Sequence, residues 1–360
     1  MRLRHIDQMR AIAVLCMVEV HTAAIIPPEG ISVGHPAAFV AAAFGGMAAP
    51  MFVAISGWGI HMSAVRRVAG PDHNARTWLR WLAPRILLLS LCQLLVNLLL
   101  SADRGGRFEW QTPGVLTLLA IGALLAPVLI RLPMRSRALL MVAMMATPLA
   151  LGDISGPDWS WWERVGSEGS SEWLARLLWN GTYPAVPWLS FVLLGSLIYD
   201  LADNPTARER GIVLGLTATT VTAAVAAFEE IPWALTEGEA VLTFFPASTA
   251  FLVVSGTFVL LTHRALEESE VRGDEIGGSK RLAFLEPAGR ITLTIYVAHF
   301  AVLGAVASAM QGEPRLDLVP AFAATIVHSL VWIPLAIWHQ KYIPEISFES
   351  LLRKISQSSR

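Results

Sequence analysis

Arg10-AIAVLCMVEV-His21, residues 10–21, is an apolar helix-forming run closed at each end by an ionisable side chain. It lies in the first of the stretches long enough to span a membrane, residues 9–27. Eleven helical steps of about 100° bring Arg10 and His21 to within roughly 20° of one face, about 16 Å apart along the axis. That is about half the thickness of a bilayer's hydrocarbon core. Ionisable groups are costly there and are usually kept for handling substrates or ions. The reading of this one run makes the chain a membrane protein with a cation near one face and an imidazole well inside.

The composition agrees. The 360 residues are 54% hydrophobic and 15% charged, with a mean hydropathy of +0.54. A soluble domain carries about 25% charged residues. A cleavable signal peptide would not hold Glu19 and His21 in its apolar core, so the first segment is expected to be retained. Cys16 and Cys92 both fall in apolar runs, so neither a disulfide framework nor a zinc site is expected. The chain contains no HExxH, CxxC, Walker or GxGxxG pattern. Bound metal, nucleotide hydrolysis and dinucleotide binding therefore lack support, and no nucleic-acid partner is expected.

Working outward, apolar stretches recur ten times, at 9–27, 37–62, 82–101, 114–131, 137–152, 184–201, 211–228, 246–263, 291–310 and 317–338. Lys and Arg set the orientation. With both termini in the cytoplasm, 22 basic residues fall on the inner side and five outside (Arg104, Arg107, Arg164, Arg176 and Arg315). An odd number of spans destroys that asymmetry. The expectation is an all-α integral membrane protein of about ten transmembrane helices in the cell (plasma) membrane. Residues 1–345 would form the membrane domain and 346–360 a cytoplasmic tail. The external loop 153–183 holds Trp159, Trp161, Trp162, Trp173 and Trp179, which read as interfacial anchors or as platforms for sugar rings. Residues 229–245 carry Glu229, Glu230, Glu237 and Glu239, and 264–290 reads as a solvated connection. Asn180-Gly181-Thr182 is a glycosylation sequon of little weight.

His21 leads the candidates for chemistry. A neutral imidazole can take a proton from an attacking hydroxyl or amine, or attack an acyl donor itself. Glu19 sits about 200° round the helix from it and is expected to face elsewhere. Asp7, one turn before Arg10, is placed to pair with it. Arg76 and Arg80 share a face at the start of the third span, with Arg85 following; guanidinium groups suit phosphate, although the positive-inside rule alone also explains them. His61, His299 and His328, taken singly, read as interhelical bonding groups.

At these residues the chain resembles the acyltransferase-3 family of integral membrane acyltransferases. RLRHIDQMRAIAVLCMVEVH (2–21) is similar to the family's first helix with its arginine-x10-histidine motif at Arg10 and His21. PMFVAISGW (50–58), which contains Ser56, is similar to the FxxSGF helix, with Trp58 in place of the usual phenylalanine. RTWLRWLAPRI (76–86) is similar to the basic start of the third helix. PAGRITLTIYVAHFAVL (287–303) resembles the GxxSxxxYLxH helix at Gly289, Tyr296 and His299. YPAVPWLSFVLLGSLIYD (183–200) resembles the PWxxxxLxG helix of the heparan-glucosaminide N-acetyltransferase-like relatives, at Trp188. Glu19 departs from the pattern, standing where the family has an apolar residue.

The resemblance implies transfer of an acyl group, acetyl first among the candidates, from cytoplasmic acyl-CoA to a hydroxyl or amine. The acceptor would be a glycan, a lipid-linked sugar or a small molecule at the external side or in the membrane. His21 would be catalytic and Arg10, Arg76, Arg80 and Arg85 would hold the donor's phosphates. Asp7, Glu19, Ser56, Trp188, Tyr296 and His299 would support them. Acyl-CoA is then a substrate rather than a resident cofactor, and membrane lipid and a second copy of the chain are further expected partners. The competing reading is a proton-coupled transporter or flippase that uses Glu19, His21 and His299.

Overall fold

A computed structural model describes residues 3–31, 35, 41, 44–68, 75–235, 240–276, 282–310 and 316–358. Its principal helices are α1 (Arg4–Ile25), α2 (Ala48–Val68), α3 (Ala75–Leu99), α4 (Val115–Leu129), α5 (Met134–Ala146) and α6 (Ala185–Leu201). They continue as α7 (Pro205–Phe228), α8 (Thr249–Ile276), α9 (Glu286–Arg290), α10 (Thr292–Met310), α11 (Leu318–Tyr342) and α12 (Phe348–Ser358). Two parallel two-residue strands, Ala234–Leu235 and Leu242–Thr243, are the extended structure among the described residues. Helices dominate because a backbone in lipid must satisfy its own polar groups. Hydroxyls follow the same rule. On α7, Thr217, Thr220 and Thr222 donate to carbonyls one turn back at 2.8–2.9 Å. Val213, Leu214, Val221 and Phe228 of that helix stand exposed, as a lipid-facing surface requires.

Among the described residues seven helices are long and apolar enough to cross a membrane, or up to nine if each bent pair counts as one span. The 15-residue α4 is apolar but shorter. Of the expected second span, 37–62, residues 37–40 and 42–43 lie outside the described residues; the described helix Ala48–Val68 runs past its expected end, with Pro50 tolerated in a first turn that needs no N–H. The expected fifth span breaks at Pro148, where Met134–Ala146 and Pro148–Ser155 meet at 43°. Before α6, residues Ser170–Asn180 form helix at 49° to it, inside what the sequence suggests is a loop.

The chain divides into two compact units. The first comprises residues 1–52, 98–107 and 259–358. In it α1 packs against α9, α10 and α11 through Ala11, Val14, Val18, Ala288, Ile291, Ile295 and Ala336. Leu3 caps nothing with its side chain. The first N–H groups of α1 find a carboxylate instead: Arg4 and His5 donate to Glu270 at 3.1 and 3.0 Å. So 264–276 is not the solvated connection expected. It continues α8 as helix, held by Arg264 to Glu267 and Glu268, and delivers Glu270 to α1. The tail is also built in. Glu349 of α12 accepts from the N–H groups of Leu293 and Thr294 at 2.6 and 3.3 Å, capping α10, and from the Thr294 hydroxyl at 2.7 Å.

The second unit comprises residues 53–97 and 108–258. Here α6 packs on α5 and α4. Backbones touch at glycines: a Cβ on Gly195 would lie 1.9 Å from the Ala54 carbonyl oxygen, and one on Gly57 would lie 2.5 Å from that of Val192. Small residues at such crossings are how helices associate in lipid. Arg137 of α5 pairs with Asp200, which also lies 3.4 Å from His61. The 153–183 segment folds rather than dangles. Buried Arg164 bonds the carbonyls of Ser155 and Gly156. Trp173 donates to the Gln111 carbonyl at 2.8 Å, the Arg176 guanidinium sits 4.4 Å from the Trp159 ring, and Trp161 lies against Phe108 and Phe245. Trp162 and Trp179 stay exposed. Of the expected acidic cluster, Glu237 and Glu239 lie outside the described residues.

Candidate functional site

In the first unit, α1 places His21 against α10. His21 Nδ1 lies 2.9 Å from His299 Nε2, and the rings are coplanar within 2°. His299 is fully buried, and its Nδ1 lies 3.2 Å from the carbonyl oxygen of Ile295, one turn back in α10. A carbonyl only accepts, so His299 carries its proton on Nδ1 and presents a lone pair at Nε2. That lone pair obliges His21 to carry its own proton on Nδ1. The Nε2 lone pair of His21 is then free to act as a base. Two hydrogen bonds thus set the tautomer of the candidate catalytic histidine from a backbone carbonyl.

Aromatic rings wall this pair. Phe300 lies 4.6 Å from His21 and 4.3 Å from His299, ring centre to ring centre. Tyr296 lies 6.5 and 5.6 Å from the same two rings and stacks on Phe52 at 5.9 Å. A third imidazole joins from α11. The Thr22 hydroxyl donates to the Val18 carbonyl at 2.6 Å, so it accepts from His328 Nδ1–H at 2.8 Å. His328 Nε2 is therefore an acceptor, buried and without a hydrogen-bond partner among the described residues. One turn on, the Nε1–H of Trp332 is buried and unpartnered too, with the two rings 6.0 Å apart.

Arg10 begins the same rail. It pairs with Asp7 at 3.6 Å, as the i,i+3 spacing suggests, and is 31% exposed while Asp7 is 3% exposed. Both Arg10 and His21 belong to one unbroken helix. Glu19 takes no part in the imidazole chain. Its Oε2 is buried without a hydrogen-bond partner among the described residues, on the side where Gly45 approaches α1.

The remaining expected residues belong to the second unit. Arg80 is exposed on α3, and the side chain of Arg76 lies outside the described residues. The Arg85 guanidinium stands 4.9 Å from the ring of Trp81 and that of Arg67 stands 5.0 Å from it. Two cations on one indole make a cation–π cluster that carries donors for an anion. Nothing in the sequence distinguishes Arg67 from the other arginines expected on the cytoplasmic side. Trp188 is buried among Tyr183, Phe191, Phe244 and Phe251, in a packing position. Ser56 is half-buried on α2.

Residue reasoning missed the partnership of Thr22 with His328, 306 positions away, and the wall formed by Phe300. Thr22 beside His21 was the available signal, but a threonine on a helix usually bonds only its own backbone. Among the described residues no group of three or more His, Cys, Asp or Glu is arranged to hold a metal ion.

Residues 3–338 match the family model for the acyltransferase domain of the acyltransferase-3 family. No curated protein gives a significant match. The match covers nearly the whole chain, so the protein belongs to the acyltransferase-3 family and is a membrane acyltransferase.

Proposed function

From that membership we propose that the protein moves an acyl group, acetyl in the simplest case, from cytoplasmic acyl-CoA to a hydroxyl or amine. The acceptor is a glycan, a lipid-linked sugar or a small metabolite presented from the other side of the membrane or within it. The observation that carries this reading is the hydrogen-bond chain Ile295 carbonyl–His299–His21, which leaves the outer nitrogen of His21 with a lone pair.

The acceptor's proton passes to His21 Nε2 as its oxygen or nitrogen bonds to the thioester carbonyl carbon. The tetrahedral adduct then collapses, the carbon–sulfur bond breaks, and the proton on His21 Nε2 passes to the sulfur of CoA. While His21 is protonated, its charge is shared down the chain through His299 to a carbonyl dipole. His299 is thus a positioning residue, and His21 is the catalytic one. His328 Nε2 and Trp332 Nε1–H, one acceptor and one donor beside the pair, suit a hydroxyl-bearing acceptor. Arg10 in the first unit, and separately Arg76, Arg80 and Arg85 of α3 in the second, carry guanidinium groups of the kind that suits the donor's phosphates. Counting α4 and each bent pair as one span gives ten spans, and the distribution of basic residues favours both termini on the cytoplasmic side of what we take to be the plasma membrane.

The test is substitution of His21 by Ala, followed by mass spectrometry of surface glycans and metabolites. Acyl transfer is expected to vanish with membrane abundance unchanged. Transfer at the normal level would remove His21 from the mechanism.

A further inference from the structure

The last helix of the first unit, α12, has a pattern unlike that of the spans before it. Phe348, Leu351, Leu352 and Ile355 fall at i, i+3, i+4 and i+7, an apolar stripe about 100° wide. Arg353 and Lys354 lie off that stripe. The protein does not cover it: Leu351 and Ile355 are 45% and 39% exposed. The inward contacts are made by polar neighbours instead, Glu349 to the start of α10 and buried Ser350 to the Pro344 carbonyl at 3.1 Å.

Hydrogen bonds fix the depth of this helix. Besides the Glu349 cap, the Phe348 N–H donates to the Thr294 hydroxyl at 3.0 Å, which ties α12 to the beginning of α10. His339, in the last turn of α11, bonds the Ile346 carbonyl at 2.7 Å through Nε2 and ties the intervening turn to the end of α11. Both α10 and α11 are long and apolar enough to span. The helix therefore sits where one span begins and another ends, at the level of the membrane surface.

We propose that α12 lies along the membrane–water interface, with Leu351 and Ile355 among the acyl chains and Arg353 and Lys354 on the headgroups of anionic phospholipid. Two observations favour lipid as the occupant of this face. On α11, Val327, Val331, Leu335, Trp338 and Tyr342 are exposed at spacings of three and four residues, so one apolar stripe runs down to the turn. Its last members are an indole and a phenol, with Lys341 Nζ 5.0 Å from the Tyr342 ring, as suits the headgroup level. The charge is complementary as well. Lys341, Arg353 and Lys354 are exposed, whereas Glu349 is turned into the protein. The one exposed acid near them among the described residues, Glu345, pairs with Lys354 at 2.9 Å. Long basic side chains reach from a helix at this depth to the phosphates while their stems stay on apolar surface. By the orientation proposed above, the leaflet is the cytoplasmic one.

The experiment uses the full-length protein with Cys16→Ser and Cys92→Ser in nanodiscs of phosphatidylcholine and phosphatidylglycerol. Both leaflets of a nanodisc carry the same lipids, so the outcome is independent of orientation. A fluorescent label is attached to Leu351→Cys or to Arg353→Cys. At position 351 it should be quenched by lipid bearing a nitroxide on its acyl chain, and at position 353 by iodide in the water. Iodide quenching as strong at 351 as at 353 would put the apolar face in water and overturn the proposal. Protection of position 351 from both quenchers would show that protein covers it, a second copy included, and would overturn it too. The headgroup contact is read from the ratio of phosphatidylglycerol to phosphatidylcholine retained through detergent purification. Arg353→Gln combined with Lys354→Gln should lower that ratio about fivefold, the worth of one cation near an anionic surface, since Glu345 offsets the other. Glu345→Gln should raise it, a gain that misfolding does not produce. A ratio unchanged in both variants would overturn the proposal.

Discussion

At the scale of the residue, the proposed chemistry turns on which nitrogen of His21 carries a proton. His21 offers a lone pair at Nε2 because His299 accepts from its Nδ1–H, and His299 can accept because Ile295 takes its own proton. Replacing His299 by Phe removes the acceptor and frees His21 to adopt the other tautomer. Turnover should fall by about 10²–10⁴-fold, the usual worth of a positioned base. His299→Gln retains an oxygen that can accept from His21, and should recover part of that loss. A purely structural role for His299 would show no such difference between Phe and Gln at matched folded yield. Arg10 and His21 were legible as a pair because a helix puts residues eleven apart on one face. Their partners were not, since nothing local connects His21 to a residue 278 positions away.

At the scale of the element, two contacts deserve measurement for what they say about packing. Gly195 brings α6 against the backbone of α2, where an added Cβ would meet the Ala54 carbonyl oxygen at 1.9 Å. Gly195→Ala must therefore push the helices apart, and overpacking of this kind costs about 1–3 kcal/mol. A lower thermal midpoint in detergent is expected; an unchanged midpoint would mean the crossing is looser than described. Glu349 links the tail to the start of α10. Burial is the largest influence on its carboxyl and raises its pKa above the usual carboxylate value, against the opposing pull of its hydrogen bonds. A group raised in the folded state stabilises most in acid, below its unfolded pKa, and loses that contribution as pH rises through its folded pKa. Thermal midpoints of wild type should thus fall from this source as pH rises from about 4, and Glu349→Gln should flatten the dependence. An identical pH profile for the two proteins would contradict this account. Neither contact was foreseen, although the apolar runs that became α6 and α10 were. Composition reveals which residues enter lipid, whereas a cap depends on where a distant segment ends.

At the scale of the molecule, the prediction concerns sidedness. In a background of Cys16→Ser and Cys92→Ser, a cysteine at Ser167 should react with an impermeant maleimide on intact cells. One at Glu345 should react only after permeabilisation. The reverse pattern would invert the orientation and with it the proposed side of donor entry. The distribution of Lys and Arg already favours this arrangement, because basic side chains resist translocation.

Apolar runs, their length and the basic residues between them were enough to specify a helical membrane protein. In lipid a backbone has no partner but itself, so local hydrophobicity dictates helix almost without regard to the rest of the chain. The Arg10–His21 spacing and the family motifs were likewise written in consecutive residues. Tertiary structure decided everything that needs two distant segments to touch. It closed α1 with Glu270, joined Arg290 to Asp7 through Gly289, and set the tautomer of His21 from Ile295. Those choices depend on backbones meeting within a few ångströms, a condition that no single segment carries in its own composition.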